Sequence, residues 1–140
     1  MRQLSPDGEQ KLIKREGKRN VAYQDSKGIW TIGVGHTGPE VKRGLVWTDQ
    51  QVQDAFEKDV QWAVNTVNES VAVPLNQNMF DALVSFIFNI GKYAFTTSTM
   101  LRLLNQGFYK DAADQFDRWN KPPDIVGRRM SEKAQFLSPI

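Results

Sequence analysis

The chain contains no cysteine. Disulfides, thiol nucleophiles and thiolate metal sites are excluded together. There is one histidine, His36, with no clustered ligand pattern around it, which argues against catalytic zinc. No apolar run approaches the roughly 18 residues of a membrane-spanning helix. The first residues, MRQLSPDGEQK, lack the apolar segment of a secretion signal. The protein is therefore expected to be soluble and to accumulate where it is made. Neither sign of charge dominates: 18 Lys and Arg face 16 Asp and Glu, for a net charge of +2. That balance mildly favours an anionic polymer and is too small to call for nucleic acid. No repeat or low-complexity tract is visible. What remains is a 140-residue chain, the length of one compact domain.

One stretch concentrates the chemistry: Glu16 to His36, EGKRNVAYQDSKGIWTIGVGH. Ser5 reads as a helix N-cap, followed by Pro6 and the acids Asp7 and Glu9 in the first turn. Leu12 and Ile13 supply an apolar side, and Gly17 reads as the stop. Glu16 then sits at the negative end of the helix dipole. That position, with any burial, favours a protonated carboxyl, which is what a general acid requires. Asp25 lies among the turn formers Gln24-Asp25-Ser26-Lys27-Gly28, between two β-prone pieces, 21–23 and 29–32. A carboxylate on an exposed turn stays ionised. Thr31, on the second piece, is placed to hold a water beside it. Two carboxyls in unlike environments, with a water site next to the anionic one, suit hydrolysis of a glycosidic bond.

Beyond His36, Thr37-Gly38-Pro39 and Gly44 read as loop. Thr48 and Gln51 form a capping box for a helix over 48–68. Its stripe of Val52, Ala55, Phe56, Val60, Ala63, Val64 and Val67 reads as packing. Residues from Met79 to Phe88 are apolar nearly all round and predict a buried central helix ending at Gly91. Further helices are expected from Met100 to about Gly107, from Tyr109 to Trp119, and from Gly127 to about Phe136. The fold class is α+β: a small lobe with a β-hairpin (1–47), a connecting helix (48–68) and a mainly helical lobe (74–140).

Glu16, Tyr23, Asp25, Gly28, Thr31, Ile32, Gly33, Gly35 and His36 stand together as in the phage-type lysozymes (endolysins, glycoside hydrolase family 24), and the chain resembles that family through to its end. The resemblance implies a lysozyme-like fold with a cleft between its lobes. It implies a muramidase that hydrolyses the β-1,4 bond between N-acetylmuramic acid and N-acetylglucosamine in peptidoglycan, by the inverting route, with no metal or cofactor. Glu16 is then the acid, Asp25 acts on the water side, and Thr31 assists. Gly35, Phe88, Asn89 and Ser98 would contact substrate, Asn89 through an N-acetyl group. By residue type alone, Phe88 equally suits the core and Ser98 a helix cap. The resemblance also implies an Arg128 that reaches the acid. It pairs His36 with Asp59, an inward acid between Phe56 and Val60 that needs a cation or donor; such pairing raises the pKa of the histidine. The expected partner is bacterial peptidoglycan, met by a monomer without nucleic acid or stable membrane insertion. The expected location is the host cytoplasm until a separate membrane-permeabilising protein releases the enzyme. The rivals are a lytic transglycosylase on the same bond, which can work with a glutamate alone, and a non-catalytic wall-binding module built on Trp30, Trp47, Trp62 and Trp119.

Overall fold

A computed structural model describes residues 1–139. Among the described residues seven α-helices and three strands follow one another: α1 Pro6–Glu16, β1 Arg19–Gln24, β2 Trp30–Gly33, β3 His36–Thr37, α2 Asp49–Ser70, α3 Gln77–Ile90, α4 Lys92–Thr96, α5 Thr99–Asn105, α6 Tyr109–Asp114 and α7 Val126–Leu137. The class is α+β, a small antiparallel sheet followed by helices. Two compact units form, residues 10–61, and residues 1–9 with the described residues from 62 onward. Among the described residues no helix is long and apolar enough to cross a membrane.

In the unit 10–61 the sheet is antiparallel, in the order β1-β2-β3. Tyr23 pairs with Thr31, and Ile32 with His36. The third strand was not expected, because Thr37-Gly38-Pro39 reads as the end of the sheet. Gly33 and Gly35, at φ 67° and 71°, turn the chain back within three residues and give His36 and Thr37 a partner strand. Leu12, Ile32, Val34, Val41, Val52 and Phe56 are buried. The capping box at the start of α2 is reciprocal: Gln51 N–H donates to Thr48 Oγ1 at 3.1 Å, and Thr48 N–H to Gln51 Oε1 at 2.8 Å.

The other unit is helical around α3, which is capped by Asn76 accepting from Met79 N–H. Phe86 at its centre meets Phe116 and Trp119 edge-on, at ring distances of 5.0 and 5.6 Å, and Phe116 meets Phe136 at 5.9 Å. Two polar residues of α3, Asp81 and Ser85, are buried with the apolar ones. Asp81 accepts from Ser5 N–H at 3.1 Å, from the Ser5 hydroxyl, and from Gln77 Nε2 at 2.8 Å. The Ser5 hydroxyl in turn accepts from Gly8 N–H at 3.0 Å, so the N-cap of α1 is fixed to α3. The single helix expected over Tyr109–Trp119 is shorter. It ends at Asp114 and tightens into a 3-10 turn over Gln115–Arg118, a common way for a helix to finish.

Candidate functional site

Glu16 is the last residue of α1, and Gly17 ends the helix at φ 82° with its N–H on Ile13 O at 2.8 Å. The side chain is half-buried. Its carboxylate lies over the β2–β3 turn, where a Cβ on Gly35 would stand 3.6 Å from Glu16 Oε2. The Gly33-Val34-Gly35 turn thus supplies backbone without side-chain bulk beside the proposed acid.

Asp25 follows β1. One oxygen, Oδ1, accepts from Lys27 N–H at 2.8 Å and Ile29 N–H at 2.9 Å. Those bonds hold the β1–β2 turn and the carboxylate together. The other oxygen, Oδ2, has no partner among the described residues. Thr31 stands opposite Tyr23, and alternation carries Asp25 to the same face, two residues along. Thr31 is 4% exposed, and its hydroxyl donates to Ile29 O at 2.9 Å. With the proton committed, its oxygen is left to accept.

His36 Nδ1 is 2.6 Å from Asp59 Oδ2 and Nε2 is 2.7 Å from Glu40 Oε1. The sequence reading named only the first partner. Burial disfavours the charged imidazole, but the hydrogen bonds it donates to Glu40 and Asp59, and their charges, outweigh it, so the histidine pKa is raised from 6.5. The bond to His36 lowers the pKa of Glu40. The signal for Glu40 was its spacing of four from a histidine. A Cβ on Gly38 would lie 2.7 Å from the Glu40 carboxylate, so a glycine is needed where that side chain folds back.

The remaining residues lie in the helical unit. Phe88 is half-buried and stacks on Trp62 at 6.1 Å. Asn89, exposed in the last turn of α3, takes a hydrogen bond from Arg129. Ser98 caps α5: it accepts from Leu101 N–H at 3.1 Å and donates to Phe95 O at 2.6 Å. The first bond is the cap, and the second spends the hydroxyl proton on the backbone. Arg128 donates to Glu132 Oε2 at 3.1 Å and to Ser85 O at 2.9 Å. Glu132, fully buried, and Arg129 escaped the sequence reading. Their signal was a basic and an acidic residue three apart on a short helix that also carries core positions.

The Phage lysozyme family model matches residues 13–132, which include Glu16, Asp25 and Thr31. The endolysin of Salmonella phage P22 is 48% identical, over 99% of this chain and 100% of that protein. An endolysin from Escherichia coli O157:H7 phage FAHEc1 has a similar solved structure, with a TM-score of 0.95 and 34% identity over 99% of this chain and 96% of that one. The muramidase domain of SpmX from Asticaccaulis excentricus is also similar, with a TM-score of 0.90 and 38% identity over 99% and 100% of the two chains. The chain therefore belongs to the phage lysozyme family and is a peptidoglycan-hydrolysing enzyme of the endolysin kind.

Proposed function

We propose that Glu16, Asp25 and Thr31 carry the lytic reaction, cleavage of the β-1,4 bond between N-acetylmuramic acid and N-acetylglucosamine. Glu16 gives its proton to the leaving glycosidic oxygen as the bond to the anomeric carbon breaks. A water takes the place of that bond on the opposite face, and its proton passes to Asp25. The observation that carries this reading is the division of labour in Asp25: Oδ1 is held by two backbone N–H groups and Oδ2 is not. A water that donates to Asp25 Oδ2 and to Thr31 Oγ1 spends both protons on the protein and keeps a lone pair for the sugar. Displacement by water on the face opposite the leaving group inverts the anomeric carbon. It calls for carboxyls roughly 6.5–9.5 Å apart. Asn89 and Phe88 are the proposed substrate contacts outside this group, with Gly35 leaving room beside Glu16. Ser98 is the fourth proposed contact, as an acceptor: its proton goes to Phe95 O and one lone pair to Leu101 N–H, which leaves the second lone pair of the hydroxyl.

Digestion of purified peptidoglycan in oxygen-18 water, read by mass spectrometry, tests the reaction. Reducing muramic ends carrying the label are expected, and proton NMR taken before mutarotation is expected to show the inverted anomer. Anhydro ends without label would assign the lytic transglycosylase reaction instead.

The enzyme is further proposed to act as a monomer, as one domain, and to wait in the host cytoplasm until a separate protein permeabilises the membrane. The support is its likeness to phage endolysins. Fractionation of producing cells before lysis, with sizing of the purified protein, is the check. Recovery in the membrane pellet would overturn the location, and a dimer the assembly.

A further inference from the structure

Arg129 is 3% exposed, and its guanidinium is engaged along its whole edge. Nε donates to Trp119 O at 3.1 Å, Nη1 to Glu132 Oε1 at 2.5 Å, and Nη2 to Asn89 Oδ1. Its flat face lies over the Phe86 ring, 5.0 Å from the centroid. Glu132 is fully buried, and its second oxygen accepts from Ser85 Oγ at 2.6 Å and Arg128 Nε at 3.1 Å. Two guanidinium groups therefore share one carboxylate.

That arrangement fixes which end of the amide faces outward. A free asparagine can offer oxygen or nitrogen to a ligand, since it carries both an acceptor and two donors. Arginine has donors only, so it holds the oxygen of Asn89 and cannot hold the nitrogen. Nδ2, which has no partner among the described residues, is left for the substrate. Positive charge beside the oxygen polarises the amide and strengthens its N–H donors.

We propose that Arg129 is a positioning residue for substrate recognition: it locks the Asn89 amide with its NH₂ outward, so that the end of α3 binds an oxygen acceptor of the glycan. A peptidoglycan strand offers two sources of that chemistry, the acetamido carbonyl of a sugar and a carboxylate of the peptide stem. The inference rests on the reading of Asn89 as a substrate contact, and the variants separate the two claims.

Asn89→Asp and Asn89→Ala are assayed with wild type on solubilised peptidoglycan for KM and kcat, with thermal midpoints measured alongside. Aspartate keeps the shape and pairs with Arg129, so its midpoint is expected to equal or exceed that of wild type. It presents an acceptor to an acceptor, so its KM is expected to rise about tenfold, the loss of roughly one good hydrogen bond. The alanine variant is expected to rise less, and kcat to change much less than KM in both. An unchanged KM in both variants removes Asn89 as a contact, and the reading beneath the proposal with it. A rise for alanine with none for aspartate, or a fall for aspartate, leaves the contact standing and overturns the polarity.

Arg129→Lys, which keeps one charged donor, is expected to hold KM nearer wild type than Arg129→Met. If both fold and neither moves KM, Arg129 positions nothing; if the methionine variant does not fold, the Asn89 pair decides. On chemically N-deacetylated wall the aspartate penalty disappears if the acceptor is the acetamido group. On wall with amidated carboxyls it disappears if the acceptor is a stem carboxylate. Persistence on both overturns the proposal.

Discussion

His36 and Asp59 meet at 2.6 Å, Nδ1 to Oδ2, and tie β3 to α2 within one unit. Glu40 takes the other ring nitrogen at 2.7 Å. Both carboxylates only accept, so the ring satisfies both as the imidazolium, with two N–H donors. Glu57 and Asp54 are the acids of α2 nearest to Asp59 in sequence, and they accept from Gln53 and Gln50 instead of from the ring. The folded pKa of His36 is raised, so its contribution is fully present below the unfolded value of 6.5 and lost as pH rises through the folded one. The folded pKa of Glu40 is lowered, so its contribution is present above 4.5 and lost as pH falls through the folded value. Both are in force between 4.5 and 6.5. His36→Asn is expected to keep substantial activity and to lose the most stability in that window. Denaturant midpoints at about pH 3, 5.5 and 8 check it; a loss independent of pH would make the role packing alone.

Gly8 lies in the first turn of α1, against α3. A Cβ there would stand 2.3 Å from Asp81 Cγ. Helix propensity alone would make Gly8→Ala stabilising by about 1 kcal/mol. The clash with a buried, triply bonded carboxylate is expected to reverse the sign and cost about 2 kcal/mol or more. Urea denaturation of the variant decides it. A more stable protein would mean that Asp81 moves freely.

The residues that made the fold legible are those whose information is local. Ser5, Gly17, the Thr48–Gln51 capping box and the stripe from Val52 to Val67 each act within a few residues, and each stands where the sequence placed it. The site stretch was legible in a different way, since single residues such as Asp25 look like ordinary turn acids and only the whole pattern from Glu16 to His36 carried meaning. What escaped depended on partners distant in the chain. Asp81 and Ser85 sit four apart on an apolar helix, but their partners are Ser5 and Glu132, 76 and 47 residues away. The third strand escaped because two glycines at positive φ make a turn that composition reads as the end of a sheet.

Gly35→Ala puts a side chain on a residue at φ 71°, where an L-residue costs about 1–2 kcal/mol. The new methyl would lie in ordinary contact with Glu16, 3.6 Å from Oε2. A stability loss of about 1 kcal/mol is expected, together with slower lysis because the acid is shielded on that side. Full activity at reduced stability would show that this side of Glu16 is not approached by the substrate.

Asp25→Asn keeps an Oδ1 that can still accept from Lys27 and Ile29, so the turn and the thermal midpoint should be nearly unchanged. The amide cannot take a proton from water, and lysis is expected to fall by about a hundredfold or more. Normal lysis would make Asp25 a turn residue and favour attack by the sugar's own hydroxyl.

The account turns on Glu16 as the proton donor. Glu16→Gln keeps the size and the hydrogen-bonding reach of the side chain and removes the acidic proton. The turnover of purified peptidoglycan by this variant, measured on protein whose circular dichroism matches wild type, is the most direct test. The account predicts a loss of at least about a hundredfold. Turnover within a few-fold of wild type would contradict it.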